Sequence, residues 1–264
     1  MVTRRRERVR LGRIFADVVT FDDAIELVCR RAQEQKGGYV VTPNVDHVVL
    51  AEHDDTLKRA YDEAFLSLVD GKPLLWWARL LGHPFPAKIS GSDFTGPLVA
   101  RAAELALPVY FLGAKEGVGR RAAGILKGQY PKLSVAGVQS PPLGFERDPA
   151  QLDAIFADVE RSGARILLIA LGCPKQEHFM YRERARLSSV VALGIGGTFD
   201  FIAGEVKRAP RVFSELGLEW TWRLAQQPRR MAERYLVRDR AIVGIVARSL
   251  AAGDTDRTFT VENG

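Results

Sequence analysis

The sequence predicts an α/β fold, a mostly parallel sheet sandwiched between helices, and three observations lead to it. Short apolar runs near residues 39–41, 64–69, 107–112, 133–138, 165–171 and 190–193 alternate with longer stretches of helical pattern. The run from Ile166 to Leu171 is apolar at every position rather than every second one, as expected of a strand covered on both faces. The runs end in turn-forming residues, Thr42-Pro43-Asn44, Asp70-Gly71, Gly113, Gly172-Cys173-Pro174 and Gly194. Parallel strands joined by right-handed crossovers would carry these turns to one carboxyl edge, where open α/β sheets bind ligands.

Composition sets the outer bounds. The chain has 264 residues, 47% of them hydrophobic, enough for a substantial core. Cys29 and Cys173 are too few for a disulfide framework and favour a reducing compartment. No apolar run approaches the length of a spanning helix, and no signal segment follows Met1, so a cytoplasmic protein without a membrane-spanning anchor is expected. The net charge of +6 permits attraction to anionic membranes, nucleotides or nucleic acids without choosing among them. A nucleic-acid partner is disfavoured by the lack of a zinc finger, an RNA-binding aromatic motif or a reading helix. The division expected is a basic N-terminal tail over residues 1–10, an α/β core over 11–210, a helical appendage over 211–250 and a flexible tail over 251–264.

Taken in order, residues 11–14 read as a short strand and Thr20 as the cap of an amphipathic helix, with Asp23 three residues on echoing a capping box. Gly37-Gly38 ends that helix, and the strand at 39–41 leads into Thr42-Pro43-Asn44-Val45-Asp46-His47. Thr42 and Asn44 can present polar groups to a sugar or nucleotide, while Asn44 and Asp46 equally suit helix capping. His47 is either an acid/base or phosphate-contacting residue or a hydrogen-bonded structural histidine. A helix at 50–61 and a strand at 64–69 bring the chain to Asp70, a general-base candidate or the first residue of an ordinary Asp-Gly turn.

Residues 88–93 form a loop whose hydroxyls and glycine can line a pocket, with Ser92 or Asp93 as the next cap. The Gly113, Gly117 and Gly119 turn matches neither a dinucleotide fingerprint nor a Walker sequence, and suits either phosphate binding or tight packing. After a helix over 149–161, the strand at 165–171 delivers Gly172 and the Lys175-Gln176-Glu177 cluster. A helix to residue 187 and a strand at 190–193 lead into Gly194-Ile195-Gly196-Gly197, a flexible backbone cradle, and then a basic bridge containing Lys207 and Arg208. The four histidines form no paired metal motif, and Asp254-Thr-Asp256 falls in a polar tail, so no bound metal is expected.

Thr42-Pro43-Asn44, Asp70-Gly71, Gly172-Cys173-Pro174-Lys175-Gln176-Glu177, the stretch from Gly194 to Asp200 and Arg208-Ala209-Pro210 together resemble the WecG/TagA/CpsF glycosyltransferase family. The similarity runs on through Gly217-Leu218-Glu219-Trp220, Arg223-Leu224 and Pro228-Arg229-Arg230, covering roughly residues 11–234, with Cys173 a local variation. The resemblance implies a GT-E-like arrangement of α/β core and membrane-facing C-terminal appendage, peripheral on the inner face of the cytoplasmic membrane. The implied reaction moves a sugar of ManNAc, ManNAcA or glucose type from a UDP-sugar to a polyprenyl-diphosphate-linked saccharide, in teichoic acid, capsule or exopolysaccharide synthesis. On that reading Asp70 is the base, and Thr42 and Asn44 belong to the active-site turn. Gln176, Glu177, Gly113, Gly172, Gly196 and Gly197 are donor-pocket candidates. His47, Arg208, Arg223, Arg230 and Arg234 are candidates for the acceptor or its phosphates. Inversion is expected, with no cofactor, and a homo-oligomer is open. The alternative is an inactive scaffold or regulator of polysaccharide assembly.

Overall fold

The six apolar runs assemble into one parallel sheet in the computed structural model, which describes residues 5–210, 213, 219–226, 228, 233, 238–252 and 257–261. The chain runs β1 (Arg5–Leu11), β2 (Ile14–Asp17), α1 (Phe21–Gln33), β3 (Gly38–Val41), α2 (Val45–Ala51), α3 (Asp55–Asp62), β4 (Leu66–Ser67) and α4 (Lys72–Leu80). It continues through α5 (Gly91–Glu104), β5 (Val109–Gly113), α6 (Val118–Gln129), β6 (Val135–Gln139), α7 (Pro149–Arg161), β7 (Ile166–Ala170), α8 (Lys175–Arg182), β8 (Val191–Gly194) and α9 (Thr198–Ile202). Beyond these lie α10 (Glu219–Gln226), α11 (Ile242–Ala252) and β9 (Arg257–Val261).

The sheet order is β4-β3-β8-β7-β5-β6, every pairing parallel. Strand alternation sends Tyr39, Val41, Tyr110, Leu112, Leu167 and Ile169 into one apolar layer, with residues of α2, α3, α4, α7 and α8. Val40, Phe111, Ile166 and Leu168 enter the opposite layer, with α1, α5, α6 and α9. Covering both faces explains the unbroken apolar run of β7, each such side chain contributing roughly 1.5–3 kcal/mol.

The ends of the chain depart from expectation. Residues 5–10, read as tail, belong to a strand, and the strand expected at 11–14 is split by a turn at Gly12-Arg13, with Leu11 ending β1 and Ile14 opening β2. β9 falls where a flexible tail was expected and pairs antiparallel with β1, Arg5 opposite Val261. Two basic residues of β1, Arg6 and Arg8, are drawn inward. Arg6 Nε lies 2.6 Å from Asp17 Oδ1 and Arg8 Nε 3.6 Å from the same oxygen. Arg8 Nη2 also donates to the Tyr61 carbonyl at 3.0 Å, and the other Asp17 oxygen accepts from the Ser67 peptide N–H at 2.7 Å. The side chains of Arg6 and Arg8 therefore serve a buried network, not an anionic partner.

Local corrections have local causes. The helix expected at 50–61 divides because Asp54 caps α3, accepting from Leu57 N. Strand 64–69 shrinks to β4, an edge strand paired on one side only, and α8 stops at Arg182 before a 3₁₀ turn over Arg184–Leu187. The cap of α5 is Ser90 rather than Ser92 or Asp93. No described helix is long and apolar enough to cross a membrane. Arg230, Arg234 and the Asp254 to Asp256 stretch lie outside the described residues, as does the side chain of Arg223.

Candidate active site

Two turns at the carboxyl edge are tied together by backbone bonds. Asp70 N donates to the Pro43 carbonyl at 2.8 Å, which sets Asp70 against the turn that follows β3. Ile89 N bonds the Val69 carbonyl at 2.8 Å and closes the other side of the Asp70 turn. Gly71, at φ +97°, takes a conformation few other residues adopt and releases the chain into α4. Thr42 Oγ1 donates to the Gly194 carbonyl at 3.3 Å, linking the ends of β3 and β8. Asn44 does cap α2, its Oδ1 accepting from Asp46 N at 3.1 Å, and it also faces the cavity. Asp46 is not the cap; it is buried and pairs with Arg238 at 2.6 Å.

A second pair of turns forms the facing wall. Gln176, at the start of α8, accepts from Gly196 N through Oε1 at 3.0 Å and donates through Nε2 to Glu177 Oε1 at 2.8 Å. Its amide thus bolts α8 to the glycine turn after β8. A Cβ at Gly194 would come within 2.7 Å of Gln176 Nε2, so that glycine is required by the approach of the amide. Glu177 is fully buried and does not line the cavity. Burial pushes its carboxyl up to about 7, opposed by the hydrogen bond from Gln176. Lys175 turns away to Glu146 at 2.9 Å and to the Phe145 ring.

These turns enclose a cavity of about 190 Å³ lined by Thr42, Asn44, His47, Asp70, Gly172, Gln176, Gly196 and Gly197, together with Gly91 and Ser92. That is below the roughly 300–1,000 Å³ of complete ligand sites, so it suits the reacting part of a larger ligand. His47 is buried, with Nδ1 2.6 Å from the Tyr61 hydroxyl. Added Cβ atoms at Gly172 and Gly196 would meet nothing within 4 Å, leaving their backbone open to approach. Gly197 is nearer a carboxylate, since its Cβ would sit 3.6 Å from Asp200 Oδ2.

Not every candidate joins this cavity. Gly113 does not line it; at φ +102°, with a Cβ that would fall 2.6 Å from the Ala170 carbonyl, it is explained by packing of β5 on β7. Arg208 pairs with Asp93, a neighbour of pocket-lining Ser92, and its own side chain is half exposed. Asp200, Phe201, Val206 and Gln226 line the cavity although their residue types alone gave no signal. Gln226 is held there by its Nε2 bond to the Lys207 carbonyl at 2.9 Å.

Chemically, the arrangement offers a half-buried carboxylate at Asp70 as a proton acceptor, hydroxyl and amide groups at Thr42, Asn44 and Ser92, and open backbone at two glycines. The one set of described side chains able to hold a metal is His47, Cys173 and Glu177. The family model described as Glycosyl transferase WecG/TagA/CpsF family matches residues 9–255.

Proposed function

The chain belongs to the WecG/TagA/CpsF glycosyltransferase family, and from that premise we propose that it transfers a sugar from a UDP-sugar to a polyprenyl-diphosphate-linked saccharide, with inversion. The sugar is of ManNAc, ManNAcA or glucose type, and the product enters a bacterial surface polysaccharide. The observation that carries this reading is the placement of Asp70 on the same cavity as Thr42 and Asn44, opposite the glycine turn at Gly196.

In this mechanism Asp70 accepts the proton of the acceptor hydroxyl as that oxygen attacks the anomeric carbon, and the bond to UDP breaks on the far side. Thr42, Asn44 and Ser92 orient sugar hydroxyls. Backbone at Gly172 and Gly196 admits the diphosphate, while the Asp200 carboxylate beside Gly197 suits a hydroxyl donor there better than a phosphate. Gln176 and Glu177 support the donor pocket from its wall. Arg208 meets the donor phosphate or the lipid diphosphate, while Arg223, Arg230 and Arg234 meet the diphosphate or lipid headgroups from a C-terminal membrane-facing appendage that keeps the enzyme peripheral on the inner leaflet. No metal takes part in turnover.

Asp70→Asn tests the reading. With a short-chain polyprenyl-diphosphate sugar as acceptor, released UDP and product linkage are read together while denaturation confirms the fold. Transfer is expected to fall ~10²–10⁴-fold with little change in stability. An active variant, or a product retaining the donor's anomeric configuration, overturns it. A wild-type chain that binds donor and transfers to no acceptor favours the assembly scaffold.

A further inference from the structure

Three donor atoms of different chemistry meet beside the cavity. A ring nitrogen of His47, Cys173 Sγ and a carboxylate oxygen of Glu177 all lie within 4.8 Å of one another. His47 and Glu177 are buried and Cys173 is half-buried, and the histidine and cysteine line the cavity, which gives an entry path.

Each group is already oriented. The Tyr61 hydroxyl engages His47 Nδ1 at 2.6 Å, so Nε2 is the nitrogen that would ligate. Such a bond to the second ring nitrogen is the usual support of a ligating histidine. Gln176 holds Glu177 Oε1 at 2.8 Å. Glu177 Oε2 is buried without a nitrogen or oxygen partner among the described residues, and the Cys173 thiol, a weak donor, reaches the same carboxyl group. A buried carboxylate oxygen so poorly matched is costly, and a cation would satisfy it.

The mixed nitrogen, sulfur and oxygen set selects the ion. Mg²⁺ and Ca²⁺ take oxygen ligands, whereas Zn²⁺ accepts all three donor types at about 2.0–2.3 Å. Tetrahedral bonds of that length put donors about 3.5 Å apart, so the present cluster closes by side-chain shifts of about 1 Å.

We propose that His47, Cys173 and Glu177 form a binding site for Zn²⁺ or a similar thiophilic divalent cation, with its fourth position open to the cavity, and that occupancy blocks the cavity. On binding, the sulfur–metal bond forms as the Cys173 thiol proton passes to solvent. His47 and Glu177 supply lone pairs, Glu177 releasing any proton it carries. The site is inhibitory rather than catalytic, and it does not depend on which sugar is transferred.

Co²⁺ is the probe, titrated into the full chain after chelator treatment. One equivalent is expected to bind with a thiolate-to-cobalt absorption band, displaced by Zn²⁺. Cys173→Ser should abolish the band and Cys29→Ser should keep it, since Cys29 is buried in the helix layer on the opposite face of the sheet. Tyr61→Phe should keep the band and weaken Co²⁺ binding ~10-fold or more, by loosening the imidazole. Glu177→Gln provides a second ligand variant, with circular dichroism confirming each fold. Zn²⁺ should inhibit transfer by the wild-type chain reversibly on chelation. A folded wild-type chain with no band, a band that survives Cys173→Ser, or equal Zn²⁺ inhibition of wild type and Cys173→Ser overturns the proposal.

Discussion

Asp17→Asn tests what holds the edge of the sheet that delivers Asp70. The Asp17 side chain is fully buried, and those of Arg6 and Arg8 retain 10% and 7% exposure, so salt screens this network little. One carboxylate oxygen lies 2.6 Å from Arg6 Nε. The other accepts from the peptide of Ser67 at 2.7 Å, just ahead of the Asp70 turn. Asparagine keeps the shape and one acceptor, but its amide would face the arginine donor to donor. Two unit charges about 4 Å apart attract by about 4 kcal/mol at an effective dielectric near 20. Removing one member of a buried pair costs roughly 3–5 kcal/mol by a separate route, the uncompensated charge left behind.

The two routes agree, so Asp17→Asn should lose ~3–5 kcal/mol in urea denaturation with the denaturant slope unchanged. Arg6→Met completes a double-mutant cycle, in which the two substitutions should couple by about 1–3 kcal/mol. A loss below about 1 kcal/mol, or strict additivity, would refute the account of this network.

Three further outcomes follow from the site. Gly113→Ala, with its Cβ 2.6 Å from the Ala170 carbonyl and a φ of +102°, should lose ~1–3 kcal/mol in thermal or urea unfolding while donor affinity by calorimetry stays unchanged. Gln176→Leu removes the bonds to Gly196 N and Glu177, so stability should drop by ~1–3 kcal/mol for each group left unmatched and donor binding should weaken; unchanged calorimetric affinity would count against the bolt. Burial raises the Glu177 carboxyl from 4.5 to about 7, so between those values the folded chain keeps a proton that the unfolded chain has released. That contribution is full below the unfolded value and is lost as pH rises through about 7. In chelator, Glu177→Gln should flatten this part of the stability curve, and parallel curves would contradict it.

The central sheet was legible because a run such as Ile166 to Ala170 has one physical solution, burial on both faces, and because turn residues mark where each strand ends. For the same reason the turns at Thr42, Asp70, Gln176 and Gly196 could be placed on one edge. Gln176 was a donor-pocket candidate from the sequence, but the Gly196 N–H that its amide oxygen accepts belongs to another turn and only the fold reveals it. Gly113 shows the reverse case, where a glycine suited to phosphate proves necessary for close strand packing. Arg6 and Arg8 were read as part of a basic tail because their neutralising partner, Asp17, belongs to the following strand, and β9 lies at the far end of the chain. His47, Cys173 and Glu177 carry no metal-motif spacing and meet only because β3 and β7 flank the same strand, β8.

The antiparallel pairing of β1 with β9 has a practical consequence for engineering. Because Arg5 stands opposite Val261, a short glycine-rich splice joining those two positions would cross a small gap. New termini could then be opened at the loop around Leu143, which is 98% exposed and follows the far edge strand. Such a circularly permuted chain would keep every strand of the parallel sheet in its place while moving both ends to the opposite margin, where they could carry a fluorescent or affinity handle.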